Sequence, residues 1–347
     1  MRFYTTQHRY YCGIDLHARS MYVCILDQAG QTVLHRNIAA SPEPFLSAIA
    51  PFRDDLVVGV ECIFTWYWLA DLCQREGILF VLGHALYMKA IHGGKAKNDK
   101  IDSYKIAALL RGGTFPVACV YPQALRATRD LMRRRTYLVR RRADLIRHIP
   151  NTFSQYNLPS VGRKIVHKIH RVGLADHFPD PVVRRSIEID VELIDHYDRL
   201  ISKLETQLQH LTRHHDPQAL YLLRTVHGIG AALSLVILYE IYDIRRFPTV
   251  GDFVSYARLV KCAKESAGKR LGSSGSKIGN VHLKWAFSEA ASLFLQANPD
   301  GMRYLHRLER KHGKAKALSI LAHRLGRTVY YMLLRQRAFS MEKFLAT

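Results

Sequence analysis

The order of apolar segments in the first 111 residues most constrains the fold. Three β-rich segments, at residues 10–16, 21–26 and 32–38, follow one another with short turns between them. Segments of this composition and spacing predict an antiparallel meander of three strands. The chain therefore begins with a sheet.

Helices and strands alternate after the meander. Ser41-Pro42 predicts the start of a short helix, and residues 56–60 form a buried strand that ends at Glu61. A helix at 66–75, a strand at 78–82 and a helix at 99–111 follow. A meander followed by alternating strands and helices predicts an α/β domain of the ribonuclease H-like type, in which the first and fourth strands are neighbours.

Four acidic residues occupy distinctive positions in this domain. Asp15 lies at the end of the first strand and Glu61 at the end of the fourth, while Asp99 and Asp102 share one face at the start of a helix. Carboxylates gathered at one place repel each other unless a cation neutralises them, and Mg²⁺ prefers such oxygen ligands. The pattern predicts a site for one or two Mg²⁺ ions. The simpler alternative is that Asp15 caps a turn, Glu61 caps a helix N-terminus, and Asp99 and Asp102 favour the dipole of the first helical turn.

Charge is distributed unevenly along the chain. The formal charge of +22 includes only +2 from residues 1–120, where 12 lysines and arginines face 10 acids. Nucleic acid is the partner that such a basic surface attracts most strongly, because binding releases counterions. The longest apolar segment is too short to span a bilayer, and the six cysteines show no CxxC pairing. We therefore expect a reduced, cytoplasmic protein without a membrane partner.

Residues 121–150 combine many arginines with apolar residues at helical spacing. They predict one long helix with a wide basic face, for which phosphate contact is favoured over a solvated surface. The predicted nucleic-acid contacts of this helix are Arg126, Arg129, Arg133, Arg134, Arg140 and Arg141.

The remaining chain predicts a connector and a helical domain. Four prolines at 150–186 indicate a linker, and apolar residues at 187–211 alternate by three and four as in a coiled coil, which favours a homo-oligomer. The expected domains are 1–150, 151–215 and 216–347. In the last of these, Gly228 and Gly230 resemble the turn of a helix-hairpin-helix element, and Lys269, Arg270 and Lys277 lie in a Gly/Ser-rich loop suited to a phosphodiester.

These motifs together resemble the transposases of insertion-sequence family 110, the DEDD recombinases related to Piv invertases. The resemblance covers almost the whole chain. It rests on Gly13-Ile14-Asp15, Glu61, Lys97-Asn98-Asp99-Lys100-Ile101-Asp102, Val226-His227-Gly228-Ile229-Gly230, and the loop from Glu265-Ser266 to Ser276-Lys277-Ile278-Gly279-Asn280.

The resemblance implies a RuvC-like domain, a coiled coil and a C-terminal transposase domain. Asp15, Glu61, Asp99 and Asp102 would hold Mg²⁺, and Ser266 would be the nucleophile that bonds covalently to DNA. The family acts as a multimer on donor and target double-stranded DNA, guided by a structured bridge RNA.

The chain departs from the family pattern at two places. Cys62-Ile63-Phe64-Thr65-Trp66 replaces the usual small residues after Glu61, and Ser103 replaces an alanine after Asp102. If the Gly/Ser-rich loop aligns differently with the family pattern, the nucleophile would be Ser273, Ser274 or Ser276.

Two other functions remain open from the residues. A RuvC-like nuclease would cut DNA with metal-activated water and no serine. A non-enzymatic nucleic-acid-binding protein would account for the arginine helix but would leave the four acids unexplained.

Overall fold

The computed structural model describes residues 2–91, 98–212, 215–274 and 278–346. Within it the chain forms two compact units, Met1–Gln123 and Ala124–Thr347. The boundary that we predicted at residue 150 falls inside a helix of the second unit. The basic helix belongs there because its Met132 is buried in the core of that unit.

A five-stranded mixed sheet forms the centre of the first unit. Its strands lie in the order β4-β3-β2-β5-β6, with β2, β3 and β4 antiparallel and β5 and β6 parallel to β2. The meander and the adjacency of the first and fourth predicted strands are confirmed. The strands of the unit are β1 (Phe3–Tyr4), β2 (Tyr10–Leu16), β3 (Ser20–Asp27), β4 (Thr32–Ala39), β5 (Leu56–Glu61), β6 (Leu79–Gly83) and β7 (Phe115–Pro116).

Helices cover both faces of this sheet. They are α1 (Pro42–Ile49), α2 (Tyr67–Arg75), α3 (Ala85–Ile91) and α4 (Asp99–Arg111), and the 3₁₀ helix Ala50–Asp55 precedes β5. Cys12 and Ile14 of β2 pack in one hydrophobic cluster with α1 and α2, whereas Tyr11 packs with α3 and α4 in another. Because side chains alternate along a strand, Gly13 and Asp15 belong to the α4 face.

Two long helices open the second unit as an antiparallel hairpin. They are α5 (Gln123–Gln155) and α6 (Pro181–Thr212). Three side-chain pairs fix the register, Arg135–Glu205, Arg142–Asp198 and His148–Asp190. Steps of 7 and then 6 residues forward along α5 correspond to steps of 7 and then 8 residues back along α6, as expected for helices that run in opposite directions.

The segment between these helices is packed, although its prolines predicted a linker. Helix α5 continues through Pro150, and 3₁₀ helices follow at Arg163–Val166, Lys168–Arg171 and Ala175–His177. Ile165, Leu174 and Phe178 are buried in one cluster with residues of α5 and α6. The buried Arg171 adds ion pairs to two aspartates of α6. These contacts give the segment a core of its own.

The end of the chain is mostly helical. It consists of α7 (Pro217–Arg224), α8 (Ala231–Ile241), the 3₁₀ helix Ile244–Arg246, α9 (Val250–Tyr256), β8 (Cys262–Ser266), β9 (Lys269–Ser274), α10 (Val281–Phe294), α11 (Pro299–His312), α12 (Lys314–Arg335) and α13 (Met341–Ala346). The apolar helix α8 is buried among α7, α10 and α12. Strands β8 and β9 form an antiparallel hairpin where the sequence predicts a Gly/Ser-rich loop.

Candidate active site

Two glycines bring α4 close to the sheet. A Cβ atom at Gly13 would lie 2.2 Å from the backbone nitrogen of Ala107 and 2.3 Å from the carbonyl oxygen of Ser103. Gly59, which pairs with Gly13, faces Leu110 of the same helix. Glycine is required at residue 13 because the helix backbone occupies the space of a side chain. The first turn of α4 is thereby held over the β2 side of the sheet.

Asp15 and Asp99 meet at the edge of the sheet where β2 ends, and His17 lies between them. The His17 Nε2 atom is 3.5 Å from Oδ2 of Asp15 and 3.4 Å from Oδ2 of Asp99. One ligand atom from each of the three residues lies within 4.8 Å of the other two, so the group could hold a metal ion. The Asp15 side chain is 15% exposed, whereas those of His17 and Asp99 are about half exposed. The cluster is open to solvent on one side.

Glu61 lies next to Asp15 in the sheet. Ile14 pairs with Val60 in the parallel register of β2 and β5, so the two acids follow at the same end of neighbouring strands. Val58 and Val60 pack toward α1 and α2, which puts Glu61 on the α4 face with Asp15. Neighbouring strands lie about 4.8 Å apart, but the group whose ligand atoms lie within 4.8 Å of one another contains Asp15, His17 and Asp99 and neither Glu61 nor Asp102.

Asp102 is one helical turn beyond Asp99, and Lys105 Nζ is 3.5 Å from its Oδ1. The capping role is taken by Asn98, whose side chain accepts a hydrogen bond from the backbone N–H of Ile101. Asp99 and Asp102 both lie in the first turn of α4, where a negative charge also favours the helix dipole, so this simpler explanation of the two residues remains open. Ser103 is buried and donates its hydroxyl to the carbonyl oxygen of Lys100, which accommodates the departure from alanine.

Sequence reasoning missed His17. Its position two residues after Asp15 puts it on the same face if the strand geometry continues, and this alternation was the available signal. The turn that carries it is closed by a hydrogen bond from the N–H of His17 to the carbonyl oxygen of Ser20. A lone histidine after a strand did not stand out among 18 histidines.

Ser266 lies at the tip of the β8–β9 hairpin. It is exposed and pairs with Lys269, which is also exposed, across the two-residue turn Ala267-Gly268. Both turn residues have positive φ, +48° for Ala267 and +73° for Gly268, as tight hairpins of this length require. The backbone thus presents Ser266 beside the turn rather than within a flexible loop.

The other candidate residues of this segment lie in β9 or after it. Arg270, Ser273 and Ser274 belong to β9 as backbone positions. Ser276 and Lys277 lie outside the described residues. The chain that leaves the hairpin is then fixed at Gly279 and Asn280. The side chain of Arg258 donates to the carbonyl oxygen of Gly279 (2.9 Å), and Asn280 caps α10.

A buried charge network holds the segment that follows the β8–β9 hairpin. Glu240 is 3% exposed in the otherwise apolar α8. It accepts hydrogen bonds from Arg133 (2.7 and 3.0 Å), Arg129 (3.2 Å) and the side-chain amide of Asn280 (2.7 Å). Burial alone would raise the pKa of Glu240, but the Arg133 hydrogen bond and the charges of both arginines outweigh it and lower the pKa to about 2. The carboxylate therefore joins α5, α8 and the start of α10.

The predicted contact arginines of α5 divide into two groups. Arg126 and Arg129 are buried, and Arg129 and Arg133 bind Glu240. In contrast, Arg134, Arg140 and Arg141 are exposed. Arg134 and Arg141 also lie over the half-exposed ring of Tyr137, at 5.6 and 5.4 Å from its centroid. The exposed group forms the accessible basic face of this helix.

Gly228 and Gly230 lie in the turn between α7 and α8 and differ in their surroundings. Gly228 has a φ of +84°, and a Cβ there would lie 2.5 Å from the backbone nitrogen of Phe294. This glycine serves close packing against α10. Gly230 is exposed, precedes α8, and has open space around its Cα. It leaves the first N–H groups of α8 approachable, as phosphate contact by a helix N-terminus requires.

Comparison with known families identifies the class of this protein. A DEDD transposase model of the IS110 type matches residues 12–158, and a model of the transposase IS116/IS110/IS902 family matches residues 220–306. No curated protein matches the chain. The protein is a transposase, an enzyme that recombines DNA. The chain belongs to the IS110 family of insertion-sequence transposases.

The two matched segments divide the candidate residues between them. The four acids fall in the first match, and Ser266 with the Gly228 turn falls in the second. DNA is the substrate of a transposase, and the DEDD family indicates use of a divalent metal. Over the described residues, every helix is too short or too polar to cross a membrane.

Proposed function

We propose that this transposase cuts and rejoins donor and target DNA of an insertion sequence through a phosphoserine intermediate, with Mg²⁺ and a guiding RNA. The observation that carries the proposal is the meeting of Asp15 and Asp99 at the edge of the sheet, with Glu61 in register beside Asp15. Two units of the same chain then carry two complementary sets of reactive groups. Strand β2 and α4 supply the acids, and the β8–β9 hairpin supplies the serine.

The four acids would hold the ion. Their donor set consists of carboxylate oxygens at one end of the sheet, which suits Mg²⁺, and α4 is fixed close to β2 by Gly13. Bound there, the ion would supply Lewis acidity and neutralise charge that develops on phosphate oxygens. The strand order, a three-stranded meander followed by parallel strands, supports a RuvC-like assignment for this unit.

Ser266 would be the nucleophile. Its deprotonated Oγ would form a bond to phosphorus while one phosphorus–oxygen bond to deoxyribose breaks, and the departing sugar oxygen would take up a proton. In the second step a sugar hydroxyl would attack the phosphoserine and release Ser266 with its proton restored. The number of phosphodiester bonds is conserved, so rejoining requires no nucleotide triphosphate. The exposure of Ser266 beside a tight turn supports this role.

Nucleic acid would contact the basic surfaces of the second unit. The exposed Arg134, Arg140 and Arg141 provide charge on α5, and Tyr137 between two of them offers a ring for stacking. Lys269 and Gly230 are the exposed candidates near the hairpin and the α7–α8 turn. The charge of +20 in residues 121–347 is ample for DNA together with a structured RNA. A homo-oligomer in the cytoplasm, associated with the nucleoid, completes the proposal.

One experiment tests the assignments of the four acids and of Ser266. The protein is incubated with RNA transcribed from the flanks of its element, donor and target DNA, and Mg²⁺. We expect recombinant DNA and a covalent protein–DNA adduct from the native protein, and loss of both with Ser266→Ala and with Asp15→Ala. Lys261→Ala is the control for Ser266, because Lys261 is exposed and precedes the same hairpin.

The outcomes separate the alternatives. Full activity of Ser266→Ala would refute the nucleophile assignment. Metal-dependent cutting without an adduct would identify a nuclease that uses water. Binding of DNA without cutting in any metal would leave only a nucleic-acid-binding role.

A further inference from the structure

We infer that His17 is a nitrogen ligand of the ion at the Asp15–Asp99 edge and that it gives this site a preference for Mn²⁺ over Mg²⁺. The inference rests on the proposed metal site and adds a residue outside the set of four acids. It changes the chemical class of the site from oxygen ligands alone to mixed nitrogen and oxygen ligands.

The geometry of the three residues suits a single ion. Ligands bound to one ion at about 2.1 Å can be at most about 4.2 Å apart. The two distances from the His17 Nε2 atom, 3.5 Å to Asp15 and 3.4 Å to Asp99, fall within that limit. Asp15 and Asp99 have oxygens within 4.8 Å, so a small rotation of the half-exposed Asp99 completes the set.

The backbone directs His17 toward this position. Residue 17 follows Asp15 by two, so it continues the α4 face just beyond the end of β2. The hydrogen bond from its N–H to Ser20 closes the turn, and the carbonyl oxygen of Leu16 accepts the Thr65 hydroxyl at 3.1 Å. Both sides of the turn are thus fixed, while the ring itself is half exposed and open to an entering ion.

The ligand type determines the metal preference. Carboxylate, carbonyl and water oxygens suit Mg²⁺ and Mn²⁺ alike, whereas imidazole nitrogen is a ligand for first-row transition metals, the series in which Mn²⁺ binds most weakly and to which Mg²⁺ does not belong. A mixed set with one imidazole binds Mn²⁺ more tightly than an all-oxygen set does, and its affinity for Mg²⁺ gains little. Loss of His17 should therefore affect the two ions unequally.

The test measures Mn²⁺ binding to the full chain by electron paramagnetic resonance, without DNA or RNA. The variants are His17→Ala, His17→Gln and Asp15→Asn, with His170→Ala as a control because His170 is an exposed histidine of the other unit. We expect the native protein and the control to show spin-echo modulation from a coordinated ¹⁴N nucleus. Both His17 variants should lose this modulation and bind Mn²⁺ about tenfold more weakly. Their Mg²⁺ affinity, measured by competition, should change less than about threefold.

The outcomes distinguish an error in the assignment of His17 from an error in the proposed metal site. Persistence of the ¹⁴N modulation in both His17 variants, or unchanged Mn²⁺ affinity, overturns the assignment of His17 while leaving the acidic site in place. Equal weakening of Mn²⁺ and Mg²⁺ also overturns it, because His17 would then act only by arranging the acids. No Mn²⁺ binding by the native protein, or undiminished binding by Asp15→Asn, contradicts the proposed metal site itself. Circular dichroism of each variant verifies that it is folded.

Discussion

Carboxylates occur in two opposite settings in the two units of this protein. Asp15 and Asp99 lie close together at the open edge of a sheet, with one histidine between them. Glu240 is the one charged residue of the buried helix α8. Two arginines and the side-chain amide of Asn280 donate hydrogen bonds to it. The first setting gathers negative charge where solvent and ions have access, whereas the second neutralises it within the protein.

The difference indicates what each set of charges does. A buried carboxylate whose hydrogen-bonding capacity is used by protein groups stabilises the fold around it. Carboxylates held together at an accessible edge have an electrostatic cost that a bound cation would remove, which favours a functional role. Three changes test this contrast, and a fourth tests the turn beside Ser266.

Removing the buried carboxylate should have the largest effect. We expect Glu240→Ala to lower the free energy of unfolding of the second unit by about 3–5 kcal/mol, because the buried charge of Arg129 and the partly exposed charge of Arg133 would both lose the carboxylate. Urea-dependent hydrogen exchange, resolved by peptide, measures the loss. The control is Glu188→Ala, which removes a partly exposed partner of the exposed Arg185 and should cost at most about 1 kcal/mol. Equal effects of the two variants would contradict the contrast.

Acid should weaken the same network. The pKa of Glu240 is about 2 in the folded protein against an ordinary value of 4.5, so its contribution is complete above about pH 4.5 and decreases as the pH falls toward 2. The shift corresponds to about 3 kcal/mol. The difference in unfolding free energy between the native protein and Glu240→Gln, measured from pH 6 to pH 3, should therefore become smaller in acid. A difference that stays constant over this range would exclude Glu240 as the titrating group.

A side chain at Gly13 should disturb the acidic edge. We expect Gly13→Ala to cost about 1–3 kcal/mol, because the new Cβ meets the backbone of α4, and to weaken Mn²⁺ binding by moving Asp99 away from Asp15. Gly59→Ala is the matched control, since the atoms nearest to its Cβ belong to the side chain of Leu110, which can rotate. Thermal unfolding and Mn²⁺ titration measure both effects. Normal Mn²⁺ binding by Gly13→Ala would show that the close approach of α4 is not needed for the site.

The smallest effect concerns the turn beside Ser266. Ala267 has a φ of +48°, a conformation that costs a residue with a Cβ about 1 kcal/mol. We expect Ala267→Gly to stabilise the hairpin by a comparable amount and Gly268→Ala to destabilise it. Hydrogen exchange of the backbone amides in β8 and β9 should slow in the first variant and accelerate in the second. The opposite ranking would mean that the turn has a different conformation.

Sequence patterns predicted the first unit well because its signals are local. A β-rich segment predicted β2, a continuous apolar segment predicted β5, and the helix predicted at 99–111 matches α4. The register that puts Asp15 beside Glu61 followed from the strand order alone. His17 was missed because its contact with Asp99 depends on the packing of α4 against Gly13. These two parts of the chain are far apart in the sequence, so no local pattern indicates the contact.

The second unit was less predictable for a related reason. Its arginines formed one class in the sequence, yet Arg129 and Arg133 bind a carboxylate more than 100 residues further along, while Arg134 and Arg141 are exposed. A glutamate within the apolar segment 231–241 was the available signal, because a lone charge in a buried helix needs a partner. Pro150 indicated a break, but α5 continues through it.

The register of the α5–α6 hairpin limits how such a chain can change in evolution. Its partners are matched one by one over a helix of about 50 Å, and a single inserted or deleted residue would rotate every later side chain by about 100°. Substitutions can exchange one pair at a time, but a change of length would disrupt many pairs at once. Length variation should therefore concentrate outside the two helices, with each helix inherited as a unit of fixed length.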